Sequence, residues 1–244
     1  MTFRTQAIVL HTTQYNTRYS IAHVYTKDYG RLGVLLPYKR RLRSGHHLFF
    51  SPLVELELLL ELKPRRDLAY LKDAKLMTPR HSMQSEPAKC SQVFFISELL
   101  YRVLTHSEAD ISLYSFLSSS FQAFECMGRG VANFYLYFTY HLLSHLAVAP
   151  ELLSEDVAQG PYFDLVDGCF VHTSPLGRVH LSVEETKHLR LFARIRLDNL
   201  AAFRYNRYDR AAILDRLIQF YRLHLPAFPA LRSLEILRAT SCKT

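Results

Sequence analysis

The spacing of apolar residues changes once along the chain, near residue 80. Before that point the pattern is that of short strands. Thr5 to Thr12 and Arg18 to Thr26 are rich in β-branched and aromatic residues, which fit a pleated, half-buried surface. Lys27-Asp28-Tyr29-Gly30 follows as turn chemistry, with glycine where positive φ is wanted. A third strand is expected from about Arg31 to Leu36. Leu53-Val54-Glu55-Leu56-Glu57-Leu58 alternates apolar and acidic residues, predicting a strand with one wet face. A fifth is expected over Leu68 to Leu76. Short strands joined by turns, with no helical stripe among them, are what a small closed barrel requires, because closure removes exposed sheet edges.

After Pro79 the period becomes helical. Ala88 to Thr105 sets Phe94, Phe95, Leu99, Val103 and Leu104 on one face, and Asp110 to Met127 repeats the pattern with Tyr114, Leu117, Phe121 and Phe124. Asp110 is placed to cap the second helix, and Gly128-Arg129-Gly130 to end it. The aromatic-rich run Val131 to Ala147 follows and stops at Pro150. Glycines and prolines between residues 155 and 180 predict a loop-rich insert with a hairpin. Ser182-Val183-Glu184-Glu185 has capping-box spacing and predicts a helix to about Leu197. Another is expected from Asp209, carrying Ile213, Leu214, Leu217, Phe220 and Tyr221, and a last short one from Leu231 to Leu237. The expected fold class is α+β with two domains: a β-barrel over residues 1–80 and a helical domain over 81–244.

Composition narrows the function. With 49% hydrophobic and 21% charged residues over 244 positions, the chain has the balance of a folded protein with a sizeable core. Val131 to Ala149 lacks formal charge, but Asn133, Thr139, His141, Ser144 and His145 would be costly in lipid, so it reads as a buried core helix. Cys90, Cys126, Cys169 and Cys242 have neither C-x-x-C pairing nor the density of a disulfide scaffold, and the N-terminus has no secretory pattern. A reducing, cytoplasmic location is expected. The charge is lopsided: residues 1–80 hold 14 Lys/Arg against 6 Asp/Glu, and residues 81–244 hold 16 of each.

The densest part of that surplus is Lys39-Arg40-Arg41-Leu42-Arg43, following a predicted strand and preceded by Tyr38. On a loop between barrel strands these cations suit phosphates, and Tyr38, Tyr15 or Tyr29 suits a stacked base. Arg18, Lys27, Arg31, Arg65 and Arg66 extend the candidate track. The alternative is a solvated basic loop; the regional imbalance favours nucleic acid. A second basic stretch, Lys187 to Arg222, interleaves arginines with apolar residues and reads either as ordinary amphipathic helix or as a groove for an acidic, hydrophobic-ended peptide, through Arg190, Arg194, Arg204 and Arg207.

Catalytic and metal motifs are weak. His141 and His145 stand four apart without the glutamate of H-E-x-x-H, and Cys169 with His172 falls short of four ligands. There is no phosphate-cradling G-x-x-x-x-G-K-[ST] loop and no G-x-S-x-G elbow. The residues point to no catalysis, no metal and no cofactor. A protein-protein adaptor, or a general RNA-binding protein of the same fold, stays open as an alternative to DNA binding.

Several segments together resemble a known family. Ala7-Ile8-Val9-Leu10, Tyr15, Tyr25-Thr26-Lys27-Asp28-Tyr29-Gly30-Arg31, the Lys39 to Ser44 run and Phe50-Ser51-Pro52-Leu53-Val54-Glu55-Leu56 resemble, in order and spacing, the N-terminal half of the bacterial RecO recombination mediators. Tyr221, His224 and Leu231-Arg232-Ser233-Leu234 are similar to the closing helices of that family. The resemblance implies an N-terminal OB-fold followed by a helical domain, and a non-enzymatic role in DNA repair. It further implies binding to single- and double-stranded DNA, annealing of complementary strands, cooperation with RecR, and contact with the acidic C-terminal tail of single-strand-binding protein so that RecA can load. A cytoplasmic, nucleoid-associated location goes with this, with no membrane partner. Two departures stand out. Many members carry a four-cysteine zinc site where this chain, over about Tyr162 to Arg178, keeps only Cys169, so a metal-free hairpin held by packing is expected. The acidic residue after the first tyrosine of the family is replaced here by Asn16-Thr17-Arg18.

Overall fold

The computed structural model describes residues 1–37, 49–63, 67–150, 152 and 160–240. Five strands, β1 (Thr2–Gln14), β2 (Tyr19–Thr26), β3 (Gly30–Pro37), β4 (Glu55–Glu61) and β5 (Leu68–Leu76), close into a barrel in the order β1-β2-β3-β5-β4. All pairs are antiparallel except β3 with β5. This is the five-stranded barrel of an OB-fold. Alternate residues fill it: Ala7 and Val9, Ala22 and Val24, Val34 and Leu36, Leu56, Leu58 and Leu60, with Ala69 and Ala74 on either side of a register shift in the β4–β5 pairing. The long β1 is buried on both faces, since Ile8 and Leu10 are as inaccessible as their inward neighbours. Its outer face is covered by the helix over Pro87–Val103, whose Ser97 hydroxyl donates to the Leu10 carbonyl.

Helices α1 (His81–Ser85), α2 (Pro87–Val103) and α3 (Ile111–Cys126) follow the barrel. Asp110 caps α3, accepting from the Ser112 and Leu113 amides at 2.8 and 3.1 Å. Phe94 departs from the expected apolar face of α2 and is 52% exposed, whereas Phe95 and Leu99 are buried. The strand with one wet face is also not so along its length. Glu55 is buried, because α3 lays Tyr114 and Ser118 against it and Arg80 pairs with it at 2.6 Å. Only Glu57 and Glu61 meet surface cations, Arg4 and Lys72.

Packing continues across residue 80. One compact unit comprises Met1–Cys126 with Leu231–Thr244, and the other Met127–Ala230. The returning helix α7 (Ser233–Thr240) belongs to the first unit because Glu98 of α2 accepts from the Arg232 amide and from the Ser233 amide and hydroxyl, at 3.1, 2.8 and 2.6 Å. A carboxylate at a helix N-terminus satisfies unpaired amides and complements the helix dipole.

The second unit holds α4 (Phe134–His145), a small sheet of β6 (Tyr162–Asp164), β7 (Cys169–Val171) and β8 (His180–Leu181), and helices α5 (Val183–Phe192) and α6 (Arg207–His224). Every residue of α4 from Phe134 to Thr139 is buried, as a core helix requires, and among the described residues no helix is long and apolar enough to cross a membrane. Helix α5 stops at Phe192, five residues before its expected end. There Asn199 accepts from the Arg196 amide at 2.7 Å and donates to the Arg194 carbonyl at 2.9 Å, while His141 takes the Ile195 carbonyl at 2.8 Å. A local asparagine and a histidine from α4 thus offer the backbone partners that replace another helical turn. Helix α6 begins before Asp209, which serves as the capping-box acid to Asn206.

Candidate nucleic-acid interface

The register of β2 and β3 sorts the predicted cations. Tyr19 faces Pro37 at one end of the pair and Thr26 faces Gly30 at the other. Arg18 and Lys27 flank β2, so at about 3.3 Å per residue they are roughly 25–30 Å apart along the strand. They do not converge. Lys27 is half-buried beside a turn closed by the Thr26 hydroxyl, which donates to Gly30 O at 2.8 Å and accepts from the Tyr29 amide at 3.1 Å. Gly30 sits at φ +65° with the backbone of Ser107 and Glu108 against it, so that a Cβ would lie 2.4 Å from the Ser107 carbonyl. Tyr25 closes the same contact, donating to Glu108 O and accepting from the Asp110 amide, both at 3.1 Å. This end of the barrel is covered by its own chain. Tyr29 there packs on Phe3 at 4.3 Å.

Arg31 is likewise part of the fold. Its guanidinium donates to the Tyr101 carbonyl at 2.9 Å and lies 4.6 Å from the centre of the Tyr101 ring. The same ring also meets His11 and His23, at 4.8 and 5.1 Å. Burial pushes His23 down to about 4, with Arg31 and His11 adding to the effect, and burial lowers His11 as well, with Arg102 and Arg31 adding and Glu98 opposing. Both rings are therefore neutral at pH 7. An unfolded histidine titrates near 6.5, so the unfolded chain takes up these protons first and stability is lost as the pH falls from about 6.5 toward 4. Thermal melts between pH 7 and 5 are expected to show a smaller fall in midpoint for His23→Gln than for the unaltered chain.

The opposite end of the β2–β3 pair carries exposed side chains among the described residues. Tyr15 is 59% exposed and Arg18 is exposed. Their turn is set by Asn16, whose side-chain oxygen accepts from the Arg18 and Tyr19 amides at 2.8 and 2.9 Å, an arrangement that an asparagine makes without bringing negative charge. Beside it the chain leaves β3 at Pro37. The run holding Tyr38, Lys39, Arg40, Arg41 and Arg43 lies outside the described residues, as do Arg65 and Arg66. On the other flank of β3, Leu35 pairs with Tyr70, and the Lys63 ammonium sits 4.9 Å from the centre of the Tyr70 ring. Neither residue was legible in the sequence, because nothing in the composition marks Lys63 as a neighbour of Tyr70. The connection holding Arg65 and Arg66 starts at this lysine. The β1–β2 turn, the exit of β3 and the Lys63–Tyr70 pair thus adjoin one end of one strand.

In the second unit the four arginines expected to receive an acidic peptide have different fates. Arg190 is built into the fold: it donates to the Gly160 carbonyl and lies 4.5 Å from the centre of the Phe170 ring. Arg207 lies along the Tyr208 ring at 4.5 Å. Arg194 and Arg204 are exposed. The hairpin of β6 and β7 is held by more than packing. Phe163 meets Phe170 at 5.1 Å, and buried Asp164 accepts from the Val166 amide at 2.8 Å and from Arg178 at 3.2 Å. Among the described residues no group of three or more metal-ligating side chains comes together.

An OB-fold barrel with Tyr15, Arg18, Lys63 and Tyr70 around one end of β3, followed in the chain by helices and a small three-stranded sheet, defines the class of this protein. The chain belongs to the RecO family. Residues 1–80 match the family model described as Recombination protein O N terminal and residues 84–235 the one described as Recombination protein O C terminal. It is 41% identical over 235 residues to the DNA repair protein RecO of Porphyromonas gingivalis strain W83, covering 95% of this chain and 96% of that one. Identity is 32% over 236 residues to the protein of the same name from Phocaeicola vulgatus, covering 96% and 97%, and 30% over 240 residues to that of Azobacteroides pseudotrichonymphae, covering 98% and 99%.

Proposed function

We propose that this chain is a non-catalytic, DNA-binding recombination mediator that anneals complementary single strands and helps RecA load on strands covered by single-strand-binding protein. The observation that carries this reading is the gathering of Tyr15, Arg18, Lys63 and Tyr70 around the end of β3 from which the Lys39–Arg43 run departs. Membership of a family whose relatives are named DNA repair proteins supports it. RecR and the acidic C-terminal tail of single-strand-binding protein are the protein partners that go with this role, in the cytoplasm at the nucleoid.

The mechanism is electrostatic. Two single strands repel through their phosphates, and a cationic surface that holds both at once lowers that repulsion and raises their local concentration. Pairing then depends on the bases, and tyrosine faces keep unpaired bases splayed by stacking. Annealing of complementary oligonucleotides followed by fluorescence quenching, over a range of salt, tests the reading. Acceleration that fades steeply as salt rises is expected. A protein-protein adaptor would leave the annealing rate at its spontaneous value at every salt concentration, and that result would overturn the proposal.

A further inference from the structure

The second unit presents a cationic loop that the barrel reading leaves without a role. Between Ala193 and Arg207 the chain carries four arginines against one acid, Asp198. This segment is neither helix nor strand except for one short turn, Leu200–Ala202, yet its backbone is pinned. Asn133 donates to the Leu200 and Phe203 carbonyls at 3.1 and 2.7 Å, His141 holds Ile195, and Asn199 ties residues 194 and 196 together. Gly130, at φ +77°, lies so close to Leu200 and Ala201 that a Cβ would come within 2.8 Å of both. The neighbours of these pinning residues are Arg129 on one side and Arg194, Arg196 and Arg204 on the other. All four are exposed, and none pairs with a carboxylate among the described residues. Tyr208, 68% exposed, stands at the end of the segment with Arg207 along its ring.

A fixed backbone that displays Arg194, Arg196 and Arg204 within eleven positions, none paired with a carboxylate among the described residues, suits a partner with charge spaced along its length. An acidic peptide with an apolar end needs an apolar pocket beside its cations. A cavity of about 280 Å³ in this unit is lined by Glu184, Glu185 and Asp209 among its apolar residues, and its Arg216 is held by Glu185 at 2.6 Å. That rim repels a carboxylate. Phosphates spaced along a strand need no such pocket, and guanidinium groups beside an exposed tyrosine are what a single strand engages.

We propose that the second unit carries its own polynucleotide-binding surface, on which Arg129, Arg194, Arg196 and Arg204 contact phosphates and Tyr208 offers a stacking face. This rests on the DNA-binding reading of the chain and adds a second contact surface to it. The test uses the full chain and fluorescence anisotropy with labelled oligothymidylate over a range of salt. With all four arginines changed to alanine, the log-log slope of affinity against salt should become less steep by about 3, at roughly 0.7 per lost phosphate contact on a single strand. Changing the same four to lysine should restore most of the slope, which separates charge from any effect on folding. Unaltered affinity and slope in the alanine variant, with the unaltered chain binding normally, would overturn the second surface and leave the barrel reading intact. Failure of the unaltered chain to bind would instead remove the DNA-binding reading itself. Loss of affinity for a labelled Asp-rich peptide, with oligonucleotide binding unchanged, would assign the loop to a protein partner and overturn the proposal.

Discussion

Replacing Glu55 by alanine is expected to destabilise the first unit by about 3–5 kcal/mol, the usual cost of stranding one partner of a buried ion pair. The Arg80 side chain is 1% exposed and that of Glu55 6%. The carboxylate serves three groups at once: the Arg80 guanidinium at 2.6 Å, the Tyr114 hydroxyl at 2.9 Å and the Ser118 hydroxyl at 2.9 Å. Burial and the adjacent Glu55 charge both raise the Tyr114 hydroxyl well above its ordinary range, so it stays protonated and donates. Arg80 also donates to the Leu53 carbonyl at 2.9 Å, and Leu53 is a buried residue held at φ 62°. That conformation costs roughly 1–2 kcal/mol in an L-residue, so the guanidinium supports a strained turn as well as an ion pair. Urea unfolding followed by circular dichroism should show the midpoint of Glu55→Ala well below that of the unaltered chain. The double variant Glu55→Leu with Arg80→Met should recover part of the loss, because neither charge is then left unpaired. It should not recover all of it, since Leu53, Tyr114 and Ser118 lose their partners. A Glu55→Ala chain as stable as the original would mean that water reaches Arg80.

The second large effect is expected from the basic run. Changing Lys39, Arg40, Arg41 and Arg43 to alanine should weaken binding to a single-stranded oligonucleotide by about 10²–10³-fold at 0.1 M salt. Four lost phosphate contacts at roughly 0.7 each flatten the salt slope by about 3, and that slope sets the size of the loss at 0.1 M relative to 1 M. Cations that serve a ligand rather than the core leave stability nearly unchanged when removed, so the thermal midpoint should stay within a degree or two of the original. Arg31→Ala should do the reverse. Its guanidinium holds the Tyr101 carbonyl and ring, so its loss should lower the melting temperature with little change in salt slope. Measuring both quantities on both variants separates cations that grip a ligand from those that grip the fold. Equal affinity before and after removal of the run would place DNA contact elsewhere.

Local pattern carried the strands and helices because each records one face repeating at one period. The alternation in Leu56, Leu58 and Leu60 and the capping box at Ser182 need no distant partner to be read. Exposed cations were harder to sort. Arg18, Lys27 and Arg31 look alike in a sequence, yet one sits on an open turn, one beside a covered turn and one against Tyr101. Phe94 misled in the same way, because an apolar residue at helical spacing reports the period and not which neighbours reach it.

By itself, then, the order of residues determined the barrel half, the helical half, the surplus of positive charge in the first 80 residues and the family. Only the tertiary structure decided which charges are spent inside the molecule. The alternating acids of β4 look alike in sequence until α3 and Arg80 bury one of them, and α7 joins the first unit only because Glu98, 135 residues before Ser233, takes up its free amides. The physical reason is range. Periodicity and capping are set within a few residues, whereas the desolvation and pairing of a charge depend on whatever the rest of the chain brings beside it.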